Sequence, residues 1–224
     1  MPDAALFSVT DKTSAPELAR ALAQRGVVIF ATGGTRDALA AAGIEARGLE
    51  EITGFPPLFG GRVKTVHPKV FGAILYDRDD EQHREQARAH AIDPFSIVVV
   101  NLYPFEETIA RGAAHGEALE QIDVGGVALL RAAAKNYRQV TVLSDPSQYG
   151  EYVEAMNAGG PSEELRRRFA AAALGRTAEY DAAIARYLSA NGGSNAELPG
   201  ALSVAMPLAQ QLRYGENPQL RAAF

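Results

Sequence analysis

Short apolar runs alternate with helix-period stretches along most of the chain. Residues 5–9, 27–31, 71–75, 97–100 and 140–143 are apolar throughout or nearly so, which predicts strands buried on both faces of a parallel sheet. Between the first two runs, Ser14-Ala15-Pro16-Glu17 offers an N-cap, an early-turn proline and a capping-box glutamate. Leu18 and Leu22 then mark an apolar face, and Gly26 supplies a stop. A second helix is predicted to open at Thr35 and end at Gly43, with further helices over 79–90, 106–113, 125–136 and 147–157. This alternation predicts an α/β fold: a mostly parallel sheet flanked by helices, with ligands beyond the carboxyl ends of the strands.

After Gly159-Gly160-Pro161 the pattern changes. Leu165, Phe169, Ala172, Ala173, Tyr180, Ile184 and Tyr187 recur at helical spacing, which predicts one long amphipathic helix with Arg166-Arg167-Arg168 on its solvated face. Residues 191–200 are rich in Gly, Ser and Asn and read as a linker. The expected division is a core over 1–158, a helical extension packing on it over 159–190, and a linker plus the start of something further over 191–224.

Composition narrows the chemistry. The 224 residues carry a formal net charge of −5, with 47% hydrophobic and 22% charged residues, which suits a globular chain with one core and an appendage. No apolar run approaches the roughly 18 residues of a membrane span, and the first residues lack the basic and apolar regions of a signal peptide. The expectation is a cytoplasmic protein without a membrane partner. With no cysteine, disulfides, thiolate nucleophiles and Cys-based zinc sites are excluded, and the four histidines show no metal-ligand spacing. No metal site is expected. The mixed-sign, net acidic charge also argues against nucleic acid as the principal partner.

Against that acidic background, Arg62-Val63-Lys64-Thr65-Val66-His67-Pro68-Lys69 is a local reversal of sign directly after Gly60-Gly61. Its polar/β-branched alternation predicts a strand face projecting cations and a hydroxyl toward an anionic ligand. A solvated basic edge strand is the plainer reading. Two loops tip the balance. Ser8-Val9-Thr10-Asp11-Lys12-Thr13 follows the first strand, and Thr32-Gly33-Gly34-Thr35 follows the second, with Thr35 expected to cap the next helix. Hydroxyls, an ammonium and backbone N–H groups at helix N-termini make anion sites. Neither loop is a dinucleotide or Walker motif, so a mononucleotide or sugar phosphate fits better than NAD or ATP.

Further on, Asn101-Leu102-Tyr103-Pro104-Phe105 ends the fourth strand, and Gln121-Ile122-Asp123-Val124-Gly125-Gly126 opens a helix with Lys135 near its end. These residues would bring a carboxylate, a phenol, an amide and lysines to the same rim, an inventory for proton transfer without a cofactor. The residues equally allow a strand exit, an N-cap at Asp123 and a helix C-terminal cation at Lys135.

The segments FSVTDKT, ATGGT, ITGFPPLFGGRVKTVHPK, VVNLYPF, QIDVGGVALLRAAAKN and LRYGENP occur in this order between residue 4 and about 218. Together they closely resemble the N-terminal IMP cyclohydrolase domain of the bifunctional purine-biosynthesis family that also carries AICAR transformylase activity. The resemblance implies a methylglyoxal-synthase-like fold and the closure of 5-formamidoimidazole-4-carboxamide ribotide (FAICAR) to IMP with loss of water, with no cofactor. It implies catalytic positions at Lys64, Tyr103, Asp123 and Lys135. Substrate contacts are implied for Ser8, Thr10, Asp11, Lys12, Thr32, Gly33, Gly34, Thr35, Arg62, Thr65, Asn101 and Val124. The expected partner is a small-molecule purine nucleotide. The family's full-length protein forms homodimers, and both a homodimer and a monomer stay open here. Formyl transfer is not expected, because LRYGENP is followed by Gln219-Leu220 rather than the family's His-Gln pair. A nucleotide-binding regulatory module of the same fold and a methylglyoxal synthase-like lyase are the competing readings.

Overall fold

The computed structural model describes residues 3–191. Its strands are β1 Ala4–Ser8, β2 Val28–Ala31, β3 Arg47–Gly48, β4 Ile97–Val100 and β5 Thr141–Leu143, all parallel, in the order β3-β2-β1-β4-β5. The helices are α1 Ala15–Ala23, α2 Gly33–Ala41, α3 Glu50–Thr53, α4 Pro68–Leu75, α5 Glu81–Ala89, α6 Phe105–Ala110, α7 His115–Glu120, α8 Val124–Lys135, α9 Tyr149–Asn157 and α10 Glu163–Asn191. From β1 the chain winds outward through β2 to β3, then crosses back and winds the other way through β4 to β5. The reversal puts a crevice between the carboxyl ends of β1 and β4, where open α/β sheets hold ligands.

Burial follows the pleat. Ala5, Phe7 and Val9 share a core cluster with Leu18, Leu22, Leu39, Tyr149, Tyr152 and Phe169. Intervening Leu6 points to the other face by the two-residue period, as Val98 and Val100 do on β4, and all three are fully buried. There α8 lies on β4 and β5 and alongside α4. Central strands covered on both faces explain why their sequences are apolar runs rather than alternations.

Four of the expected strands are present, but the run at 71–75 is helical. α4 starts at Pro68, with His67 as N-cap: its Nδ1 accepts from the Lys69 N–H at 3.2 Å. Val70, Ala73 and Ile74 are its buried positions, a helical spacing hidden in a run where nearly every residue is apolar. The basic run is likewise no strand. Residues 62–67 form a loop after a 3₁₀ turn at Phe59–Gly61, with one antiparallel bridge from Val63 to Leu58. Two expected caps also differ. Ser14 has φ 56° and makes no side-chain cap bond. α2 begins at Gly33 with Thr32 in the cap position, and Thr35 is turned to other use. The two-residue β3 and the short α3 and α7 were not expected.

The long C-terminal helix is present as α10. The chain divides into compact units at Thr177, and the first unit includes the start of α10, where Phe169 joins the core cluster. The second unit begins at Ala178 and its described part is the remainder of α10. The linker expected at 191–200 falls, apart from residue 191, outside the described residues. Among those described, no helix is long and apolar enough to cross a membrane.

Candidate active site

The carboxyl edge of the sheet carries a cleft of about 530 Å³ lined by Ser8, Arg62, Lys64, Thr65, Tyr103, Asp123 and Val124, with Glu120, Gly125 and Gly126. Four chain segments meet in it: the end of β1, the loop before α4, the stretch after β4 that carries Tyr103, and the turn from α7 into α8. Lys64 also lines a small adjoining recess with Thr32 and Gly33 at the end of β2.

Asp123 is built in by the helix that it starts. Its carboxylate caps α8, with Oδ1 accepting from the Gly126 N–H at 2.6 Å, an arrangement worth about 0.5–2 kcal/mol of helix stability. A Cβ at Gly126 would lie 2.8 Å from that carboxylate carbon, and one at Gly125 would strike the Thr65 hydroxyl. At either position a side chain on the helix start would force its neighbour, Thr65 or Asp123, to shift. Burial pushes the Asp123 carboxyl above its ordinary value, against the opposing pull of the Gly126 N–H, the Lys64 charge and the Tyr103 amide. Lys64 Nζ donates to the Tyr103 hydroxyl at 3.1 Å and stands 5.7 Å from that ring's centroid. An ammonium, a phenol and a carboxyl with a raised proton affinity thus share one wall of the cleft, which equips it for general acid–base work.

The loop after β1 is arranged differently. The Asn101 carboxamide Oδ1 accepts from the Thr10 N–H at 2.6 Å and the Asp11 N–H at 2.9 Å, while its Nδ2 donates to the Asp11 carbonyl at 2.7 Å. Asp11 in turn accepts the Thr13 N–H at 2.9 Å, and hydrogen bonding from Thr13, its hydroxyl first and then its backbone, holds the carboxyl below the usual range. Lys12 Nζ donates to the Thr10 carbonyl at 3.1 Å. Thr35 Oγ1 both accepts the Val9 N–H at 3.0 Å and donates to the Val9 carbonyl at 3.1 Å. Thr32 Oγ1 donates to Ser8 Oγ at 3.3 Å, stitching the two strand ends together. Several amides expected to face an anion are thus already paired within the chain.

Lys135 is not brought to the cleft. It is the last residue of α8, about 16 Å along the axis from Val124 at 1.5 Å per residue. Next to it, Asn136 Nδ2 donates to the carbonyls of Ile74 and Tyr76 at the far end of α4. α8 runs from the carboxyl edge of the sheet to the opposite edge, and Lys135 is exposed there. Gly34 lies in the first turn of α2 outside the cleft lining.

One residue beside the cleft escaped the sequence reading. Glu120, the last residue of α7, holds the Arg62 guanidinium in a two-point ion pair, with Arg62 Nε donating at 3.3 Å. No local pattern announces a pair 58 positions apart.

Residues 14–128 match the family model described as the MGS-like domain. The chain belongs to the MGS-like family. As an MGS-like domain it has the methylglyoxal-synthase-like fold that its motifs implied, and its residues 133–224 match the model described as the AICARFT/IMPCHase bienzyme. Relatives named bifunctional purine biosynthesis protein PurH match nearly the whole chain. The one from Rhodospirillum rubrum is 49% identical over 222 residues, 98% of this chain. The one from a Jannaschia species is 47% identical over 225 residues, also 98% of this chain. This MGS-like chain spans 42% of the length of each. A solved structure titled as that of ForH is 33% identical with a TM-score of 0.70, covering 82% of this chain and 97% of its own.

Proposed function

We propose that this chain is an IMP cyclohydrolase, closing FAICAR to IMP plus water as the last step of making the purine ring. The observation that carries the reading is the wall of the cleft where Lys64, Tyr103 and Asp123 meet, 3.1 Å separating the ammonium from the phenol. Relatives named for purine biosynthesis and a match to a family model that includes IMPCHase support the choice of substrate.

The reaction needs little beyond what this wall holds. The carboxamide nitrogen attacks the formyl carbon, forming the ring C–N bond and an oxyanion. The carboxamide nitrogen loses one proton on attack, the formamido nitrogen loses its own as the ring C=N bond forms, and the former formyl oxygen gains both and leaves as water. Lys64 stabilises charge on the formyl oxygen, Asp123 takes the carboxamide proton, and Tyr103 passes a proton between the ammonium and the departing oxygen. Holding both reacting groups of one molecule in attack geometry lowers the barrier further, by about 7–11 kcal/mol in favourable cases. Ser8, Arg62, Thr65 and Val124 line the bound nucleotide, with Thr32 and Gly33 beside the recess. Thr10, Asp11 and Lys12 form its outer loop, which Asn101 and Thr35 hold in place. Gly34 serves as part of the α2 start. Lys135, at the opposite edge of the sheet, is given no chemical step.

In this reading the protein is a cytoplasmic enzyme acting on a small purine nucleotide without a cofactor, and sedimentation decides between monomer and homodimer. The decisive experiment is to add FAICAR to the chain and follow IMP by absorbance. IMP formation that falls on Lys64→Ala substitution supports the assignment. Binding of IMP with no turnover of FAICAR would instead make the chain a nucleotide-binding module.

A further inference from the structure

The cleft is lined by two cations and two carboxylates, Arg62, Lys64, Glu120 and Asp123. Lys64 donates to the Tyr103 hydroxyl, whereas Arg62 is ion-paired to Glu120, so an anion that takes the paired face of Arg62 must displace that carboxylate. The two carboxylates differ in how readily they can move. Asp123 caps α8 through the Gly126 N–H and is half-buried, so moving it uncovers the start of a helix. Glu120 makes no cap. It and Arg62 are 56% and 68% exposed as side chains, and water replaces either partner at small cost. The Arg62 loop follows glycines at φ 67° and 94°, and Arg62 itself is held by its guanidinium pairing across the cleft to the end of α7.

We propose that Glu120 is an exchangeable anionic stand-in: it holds the Arg62 guanidinium at the rim of the empty cleft and releases it to the phosphate of the incoming nucleotide. Glu120 is thereby a positioning residue, setting how strongly the cleft takes anions without touching the reacting atoms. The inference rests on the reading of the cleft as a phosphorylated-ligand site, which the test separates from it by using two probes, IMP and inorganic phosphate.

Dissociation constants are measured by calorimetry at low salt for wild type, Glu120→Gln, Arg62→Gln and the double variant. Freed from its competitor, Arg62 should bind phosphate about two- to five-fold more tightly in Glu120→Gln, the range for an exposed ion pair. The gain should vanish in the Arg62→Gln background, as coupling through one partner demands. Weaker or unchanged binding in Glu120→Gln overturns the proposal, and so does a gain that survives without Arg62, which would mean simple removal of a repelling charge. Glu120→Asp, which keeps the charge but shortens its reach, should also bind more tightly than wild type; wild-type behaviour there counts against exchange. If wild type takes phosphate but not IMP, the nucleotide reading falls while the exchange is still judged on phosphate. If it takes neither, both fall.

Discussion

The two ends of α8 were credited with equal chemistry by the sequence, and the structure treats them oppositely. At the start, Gly125 lies close against Thr65 and Gly126 against Asp123, on the cleft wall that Lys64 shares. At the finish, Lys135 stands exposed beside the end of α4. A helix laid along a sheet from its carboxyl edge to the opposite edge separates its ends by its own length, so residues near in sequence are assigned to different surfaces.

The largest expected contrast is in turnover. Asp123→Asn should lower FAICAR cyclisation by about 10²–10⁴-fold, the usual range for a positioned acid–base group, in a steady-state assay. Lys64→Ala should do the same, while Lys135→Ala should stay within about two-fold of wild type; a loss at Lys135 as large as at Asp123 would break the comparison. Next comes stability. Gly126→Ala drives a methyl into the capping carboxylate and should cost about 1–3 kcal/mol in urea unfolding, as overpacking does.

Smaller still is a pH effect with a definite sign. The Asp123 carboxyl is raised above 3.8 by burial, so between that value and its folded one the native state holds a proton that the unfolded chain has lost. Its contribution to stability is therefore present at low pH and lost as pH rises through that window. Asparagine keeps the cap but has no such loss. The stability of Asp123→Asn relative to wild type should rise across the window and then level off, even as its turnover drops. Denaturation midpoints at several pH values between about 3 and 7 read it directly. Turnover by wild type should fall on acidification with an apparent pKa above 3.8, because the base must be ionised.

Much of this frame was legible in the sequence. Strand ends carrying Ser8, Thr32 and Asn101 follow from apolar runs bounded by polar residues, and Asp123 as a cap follows from its place before a helix. The error at 71–75 arose because a wholly apolar stretch has no measurable period; the Pro68 that starts α4 was the better signal. The separation of Lys135 from Asp123 was also accessible, since residues so far apart on one helix cannot meet at one site. By contrast, Asn101 closing on Thr10 and Asp11 joins residues about 90 positions apart, and Glu120 meeting Arg62 depends on where two loops fold back. Propensity and periodicity carry no trace of either contact. The same holds for the committed amides of the β1 loop: the sequence showed donors at a helix start, but not that a side chain from β4 already faced them.

The Asn101 clamp also bears on the order in which the protein becomes competent. A carboxamide at the end of β4 fixes a loop that leaves β1, so the loop has no clamp until the intervening residues have been synthesised and β4 has docked beside β1. On a ribosome, a nascent chain that stops short of Asn101 can pair β1 with β2 and yet leave the amides of Thr10 and Asp11 open to solvent exchange. The central β1–β4 pairing thus also carries the closure of the β1 loop, because the clamp and the strand arrive together.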